Sequence, residues 1–204
     1  MDEPILVILG PSGAGKTHFS DYMGAQKGMV HINLDQDGDA ALKEGVKAGW
    51  EALTTKYLAL RGPQQFVEDI RRRISSSGVK GAVVTCTSGV MPSIRPGATG
   101  WHFSQEYISS LLDSGVCTVV LYGTQNDCRN SFLQREKQTG RNIGGPEFWQ
   151  GNNAAWYDPD QFSVQAFGAL MVQAFADGIH RDEEALFEEI HKRFIDVPFL
   201  RPSR

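Results

Sequence analysis

Short apolar runs bounded by glycine, proline and acidic residues alternate along this chain with longer segments whose apolar residues recur every third or fourth position. The first run, Ile5–Leu9, is continuous, β-branched in part and closed by Gly10 and Pro11. An apolar run of this length without polar alternation is what a strand buried on both faces requires, and such strands belong to parallel sheets. Met29–Leu34, Gly81–Cys86 and Val116–Tyr122 predict three more strands, and Leu170–Phe175 a fifth. Helices are expected over Gly15–Met23, from Pro63 onward with Phe66, Ile70 and Ile74 on one face, over Ser104–Asp113 and over Asn126–Gln138. Asp182 is placed to cap a last helix that buries Leu186, Ile190 and Phe194 and carries His191, Lys192 and Arg193 near its negative pole. Ser88–Gly100 reads as a Gly/Pro-rich loop and Thr139–Asn153 as a Gly/Asn-rich stretch. Strands alternating with helices predict a three-layer α/β/α fold around a mostly parallel five-stranded sheet. Neither a repeat nor a composition break divides the 204 residues, so a single domain over 1–204 is expected.

Composition narrows the class further. Hydrophobic residues make up 41% and charged residues 22%, close to the average of soluble globular proteins. A formal net charge of −4 argues against a protein held on nucleic acid by charge alone, so nucleic acid enters only as a possible substrate. Cys86, Cys117 and Cys128 form no CxxC pair, which suits buried, reduced thiols in a cytoplasmic protein. Met1-Asp2-Glu3 lacks the basic start of a signal peptide, and no apolar stretch reaches the roughly 18 residues of a membrane helix. A soluble protein with no membrane partner is the expectation.

The segment Gly10-Pro11-Ser12-Gly13-Ala14-Gly15-Lys16-Thr17 matches GxxxxGK[ST] and lies between the first strand and the first helix. Its glycines let the backbone turn so that N–H groups face phosphate oxygens with no side chain in the way. The helix that follows presents its positive end to the same anion. Lys16 should reach the β- and γ-phosphates, and the Thr17 hydroxyl should ligate Mg²⁺. Gly10, Ser12, Gly13, Ala14, Gly15, Lys16 and Thr17 are therefore the candidate binding set for MgATP, in a P-loop NTPase fold. Neither a DxxG segment nor a guanine-reading NKxD segment follows, which favours ATP over GTP. The third strand runs into Thr85-Cys86-Thr87-Ser88-Gly89 without the metal-ordering carboxylate of large ATPases.

Three segments together make the chain resemble the small P-loop kinases, a superfamily that includes shikimate, gluconate, adenylylsulfate and polynucleotide kinases and the zeta-toxin kinases. Beside the phosphate loop stands His31-Ile32-Asn33-Leu34-Asp35, similar to an Asn-x-Asp segment that supplies the base for the attacking hydroxyl in zeta-toxin and polynucleotide kinases. The resemblance implies that role for Asp35, with a share in the metal site. Those families place an arginine shortly after the aspartate, whereas this chain continues Gln36-Asp37-Gly38-Asp39. The third segment, Arg129–Ile143, looks like the zeta-toxin lid, which implies a lid over about 135–153. Arg135 and Arg141 are its candidates to neutralise the transferring phosphoryl group, with Arg129 as a further nucleotide contact.

The acceptor side carries less information. Asp37, together with Arg95 and Trp101 in the loop after the third strand, are candidate acceptor contacts, because ligands of open α/β sheets bind at the carboxyl edge. His31 reads as a structural histidine, and Asn152–Tyr157 as either a covering loop or an aromatic anchor. The functional expectation is an ATP-dependent transfer of the γ-phosphate to a hydroxyl of a small molecule, a nucleotide, a nucleotide-sugar or a nucleic-acid end. The alternative is a regulatory ATPase with no acceptor.

Overall fold

The computed structural model describes residues 4–33, 62–85, 105–140, 145–158 and 168–194. Strand β1 (Ile5–Leu9) is the centre of a five-stranded sheet in the order β2-β3-β1-β4-β5, formed with β2 (Val30–Asn33), β3 (Ala82–Thr85), β4 (Cys117–Tyr122) and β5 (Leu170–Gln173). Every pair in it is parallel, with Leu6 opposite Val83 on one side and Cys117 on the other. All five residues of β1 are buried, as the unbroken apolar run requires.

The strand's two-residue period divides the core into two layers. Ile5, Val7 and Leu9 pack with Phe66, Ile70 and Ile74 of α2 (Gly62–Ser77) and with Ile108 and Leu111 of α3 (Gln105–Asp113). Leu6 and Ile8 pack with Phe19 and Met23 of α1 (Lys16–Lys27) and with Cys128 and Phe132 of α4 (Gln125–Thr139). Trp149 of α5 (Gly145–Asn153) and Leu186 and Ile190 of α6 (Glu183–Arg193) complete that layer. Each such side chain contributes roughly 1.5–3 kcal/mol by burial, which is what ties the helices to both faces of the sheet. The α/β/α layering and the parallel sheet are as the periodicity predicts. Cys117 and Cys128 are buried thiols, as expected; Cys86 lies outside the described residues. Among the described residues, no helix is long and apolar enough to cross a membrane.

Three elements differ from the sequence expectation. Helix α1 runs past Met23 to Lys27, because the stop comes only at Gly28, whose left-handed backbone returns its N–H to the Met23 carbonyl. The Gly/Asn-rich stretch contains α5, which starts favourably with Pro146 at its first turn and Glu147 beside its positive end. A short 3-10 turn over Ala154–Tyr157 follows it and buries Trp156, so this segment is an aromatic anchor. The third difference is an antiparallel hairpin of β6 (Phe175–Ala176) and β7 (Ile179–His180), turned by Asp177 at φ 51° and Gly178 at φ 76°. Positive φ at both central residues is the turn that Asp-Gly favours.

Arg181 ties the hairpin to α6, donating to the Gln173 carbonyl at 2.8 Å and pairing with Glu189 at 2.7 Å. The predicted cap of α6 is in place, with Asp182 accepting from the N–H groups of Glu184 at 3.0 Å and Ala185 at 3.2 Å. Asp182→Ala should lower the unfolding free energy by about 0.5–2 kcal/mol and Asp182→Asn by much less. Denaturant unfolding of the two variants checks this; equal losses would mean that the cap is not the cause.

Candidate active site

The turn from β1 to α1 lies at the carboxyl edge of the sheet and brings the whole expected binding set, Gly10 to Thr17, into one loop. Gly10 has φ 141°, and a Cβ on it would stand 2.1 Å from the Leu121 carbonyl oxygen of β4. Gly13 has φ 93°, and a Cβ there would stand 2.0 Å from the Cys128 carbonyl oxygen of α4. The loop is thus pressed onto β4 and α4 at two points where no side chain fits. Ala14 N–H closes it by donating to the Pro11 carbonyl at 3.2 Å. Lys16 is buried, and its ammonium lies across the loop, donating to the carbonyls of Gly10 at 2.7 Å and Pro11 at 2.9 Å. Thr17, in the first turn of α1, is exposed.

Helix α4 begins at Thr124, whose hydroxyl accepts from the Asp127 N–H at 3.1 Å, and its first turns run beside the loop. Arg129 follows directly on Cys128, the residue that meets Gly13. Arg135 lies about 9 Å further along the helix axis. Its guanidinium stands 5.2 Å from the Phe132 ring centroid and 3.5 Å from the Glu136 carboxylate, so in this structure it is engaged on its own helix. Asp35, Asp37, Arg95, Trp101 and Arg141 lie outside the described residues. The strand that leads to Asp35 ends at Asn33, in register with Thr85, which in turn is level with Ile8 of β1.

Sequence did not single out Trp149 or His180 at this edge, and it read Asn153 only as part of the Asn152–Tyr157 segment. Trp149 and Asn153, one turn apart on α5, both reach Ser12: the Trp149 indole donates to the Ser12 carbonyl at 2.9 Å, and the Ser12 N–H donates to Asn153 Oδ1 at 2.7 Å. Their i, i+4 spacing is a helix-face signal, but nothing in it names a partner so distant in sequence. His180, on the hairpin, covers Gly15 so closely that a Cβ there would stand 3.1 Å from its ring; it meets the Ser131 hydroxyl at 2.8 Å and packs on the Phe175 ring with centroids 4.1 Å apart. Burial first, then the His18 charge, pushes its pKa down, so the neutral imidazole is favoured beside the loop. The Asp177-Gly178 dipeptide was the legible sign of this hairpin.

His31 is structural as expected, with Nδ1 hydrogen-bonded to Asp21 at 2.7 Å and Nε2 to the Thr85 hydroxyl at 2.9 Å. It joins α1 to the ends of β2 and β3. A cavity of about 380 Å³ adjoins the loop, lined by Pro11, Tyr122, Gly123, Trp156, Tyr157 and Met171. Burial pushes the Cys128 thiol and the Tyr157 phenol up, which keeps both protonated, the thiol beside Lys16.

No family profile matches the sequence. Threonine synthase-like 1 of Homo sapiens is 24% identical over 162 residues, which cover 77% of this chain and 20% of that protein. The chain thus spans about a fifth of the length of the curated relatives it matches. Among solved structures, shikimate kinase from Acinetobacter baumannii in complex with shikimate superposes with a TM-score of 0.55 at 12% identity, over 96% of this chain and 95% of that one. A sugar kinase from Janibacter sp. gives 0.51 at 14% identity, over 98% and 99%. The tunicamycin resistance protein of Deinococcus radiodurans gives 0.51 at 16%, over 94% and 95%. The chain has the α/β fold of the small P-loop kinases, the superfamily that its motifs resemble.

Proposed function

We propose that this protein is an ATP-dependent phosphotransferase that moves the γ-phosphate of MgATP to a hydroxyl group of a small molecule, a nucleotide, a nucleotide-sugar or a nucleic-acid end. The observation that carries this reading is the glycine loop pressed onto β4 and α4, with the buried Lys16 ammonium lying across it. A phosphate oxygen is a stronger acceptor for that ammonium than the carbonyls of Gly10 and Pro11, because the bond is charge-assisted at both ends. The positive end of α1 faces the same anion. Thr17, an exposed hard-oxygen donor, would hold Mg²⁺ together with Asp35, and the ion would neutralise phosphate charge when bound.

In the transfer, the acceptor oxygen forms a bond to the γ-phosphorus while the bond to the β-phosphate oxygen breaks, and ADP leaves. Asp35 takes the proton of the attacking hydroxyl. Arg135 would first leave Glu136 and Phe132, and with Arg141 and Arg129 would offset the charge that develops on the phosphoryl oxygens. Asp37, Arg95 and Trp101 belong to the acceptor side in this reading. The cavity against Pro11, walled by Tyr122, Trp156 and Tyr157, offers that side an aromatic wall.

ADP release measured across a panel of hydroxyl acceptors tests the reading. Acceptor-dependent release that Lys16→Ala abolishes, with its circular dichroism unchanged, supports it. ATP hydrolysis that no acceptor alters would favour a regulatory ATPase instead. Asp35→Asn keeps the side chain's size but cannot take a proton, so kcat should fall by about 10²–10⁴-fold. Its nucleotide Kd should stay within a few-fold of wild type. Normal turnover would remove Asp35 from the mechanism, and lost ATP binding would make it a metal-site residue.

A further inference from the structure

The two backbone groups of Ser12 are both taken by side chains of α5. Its N–H donates to Asn153 Oδ1 at 2.7 Å and its carbonyl accepts from Trp149 Nε1 at 2.9 Å. Asn153 cannot turn its amide end for end without loss, because its Nδ2 donates to the Trp149 carbonyl one turn back at 2.8 Å. That bond presents the oxygen, not the nitrogen, to Ser12. Trp149 is fully buried and tilted against Tyr157, with ring centroids 5.8 Å apart, so its indole is fixed as well. All three hydrogen bonds are buried.

The orientation of Ser12 has a consequence one peptide away on each side. There is no cis peptide among the described residues, and in a planar trans peptide the carbonyl and the N–H point in opposite directions. The Pro11–Ser12 peptide sends its N–H outward to Asn153, and its carbonyl accordingly points inward, where it meets the Lys16 ammonium at 2.9 Å. The next peptide sends the Ser12 carbonyl outward to Trp149. Its N–H, that of Gly13, must then point to the inner side, the side of Lys16. Gly13 itself is held at φ 93° against α4.

We infer that Trp149 and Asn153 are positioning residues of the nucleotide site: by holding Ser12 from behind, they aim the Gly13 N–H and the Lys16 ammonium into one anion cradle. This rests on the nucleotide-binding reading and adds to it two residues that touch neither nucleotide nor acceptor. It also makes α5 and the phosphate loop one mechanical unit, so that a ligand which stiffens the loop stiffens the helix.

Titration of the wild type with Mg·ADP and Mg·ATP comes first; a protein that binds neither overturns the nucleotide reading and this inference with it. Trp149→Phe keeps an aromatic ring in the core but removes the N–H that holds the Ser12 carbonyl. The expected result is a Kd for both nucleotides weakened by about tenfold or more, the range of one misdirected hydrogen bond to a charged group. In turnover assays KM for ATP should rise with it. Ile74→Ala, a cavity variant in the opposite layer, serves as the control for lost stability alone and should bind nucleotide as the wild type does.

All measurements are made at a temperature where circular dichroism shows each variant folded. Trp149→Phe with wild-type Kd, or Ile74→Ala weakened to the same degree, would overturn the inference. Should Trp149→Phe not fold, hydrogen–deuterium exchange on the wild type decides. Mg·ADP should protect residues 145–153 together with the loop, and protection confined to the loop would sink the idea.

Discussion

Two backbone carbonyls, those of Leu121 and Cys128, come so close to the turn after β1 that any Cβ at Gly10 or Gly13 would overlap them. This close approach is the constraint on which the candidate site depends. It exists because β1 and β4 pair in parallel from Leu6 to Leu9, and because α4 returns over the edge of that pair and buries Cys128 and Phe132 beneath it. The loop therefore has little freedom of its own: β4 holds its first residue, α4 its middle and α5 its outer side. Lys16 inherits its position from that clamp. Burial keeps the nearby thiol of Cys128 protonated, so it brings no negative charge to the lysine's surroundings.

The fold was legible where one physical signal dominated. Ile5–Leu9 could only be a doubly buried strand, and Phe66, Ile70 and Ile74 at four-residue spacing could only share one helix face; all three are fully buried. The turn after β1 was legible as a glycine loop, because its glycines answer to backbone geometry that is the same wherever such a turn occurs. Asp182 was legible as a cap because the interaction is local to its own helix.

What was not legible depends on partners far off in sequence. Gly145, Gly151, Asn152 and Asn153 lower helix propensity, and Gly145–Asn153 becomes a helix through tertiary contacts, chiefly the burial of Trp149 and the bonds to Ser12. Arg135 was readable as a cation on the helix after the fourth strand, but its engagement with Glu136 and Phe132 depends on rotamers that spacing does not fix. The Asp177-Gly178 hairpin is a different case. Its signal was present, and the strand reading of Leu170–Phe175 ran across it without recognising that the chain turns back.

The strand order also bears on how the chain assembles during synthesis. β1 is made first, yet its two neighbours are β3 and β4: Ile5 waits for Ala82, and Leu6 waits for Cys117. Closing such distant pairings costs loop entropy before any contact rewards it, which places this fold among the slower topologies. Until Tyr122 has left the ribosome, Ile5–Leu9 is an unpaired, wholly apolar strand on at least one edge, the kind of segment that aggregates or is captured by a chaperone. The centre of the finished sheet is thus the most vulnerable part of the nascent chain.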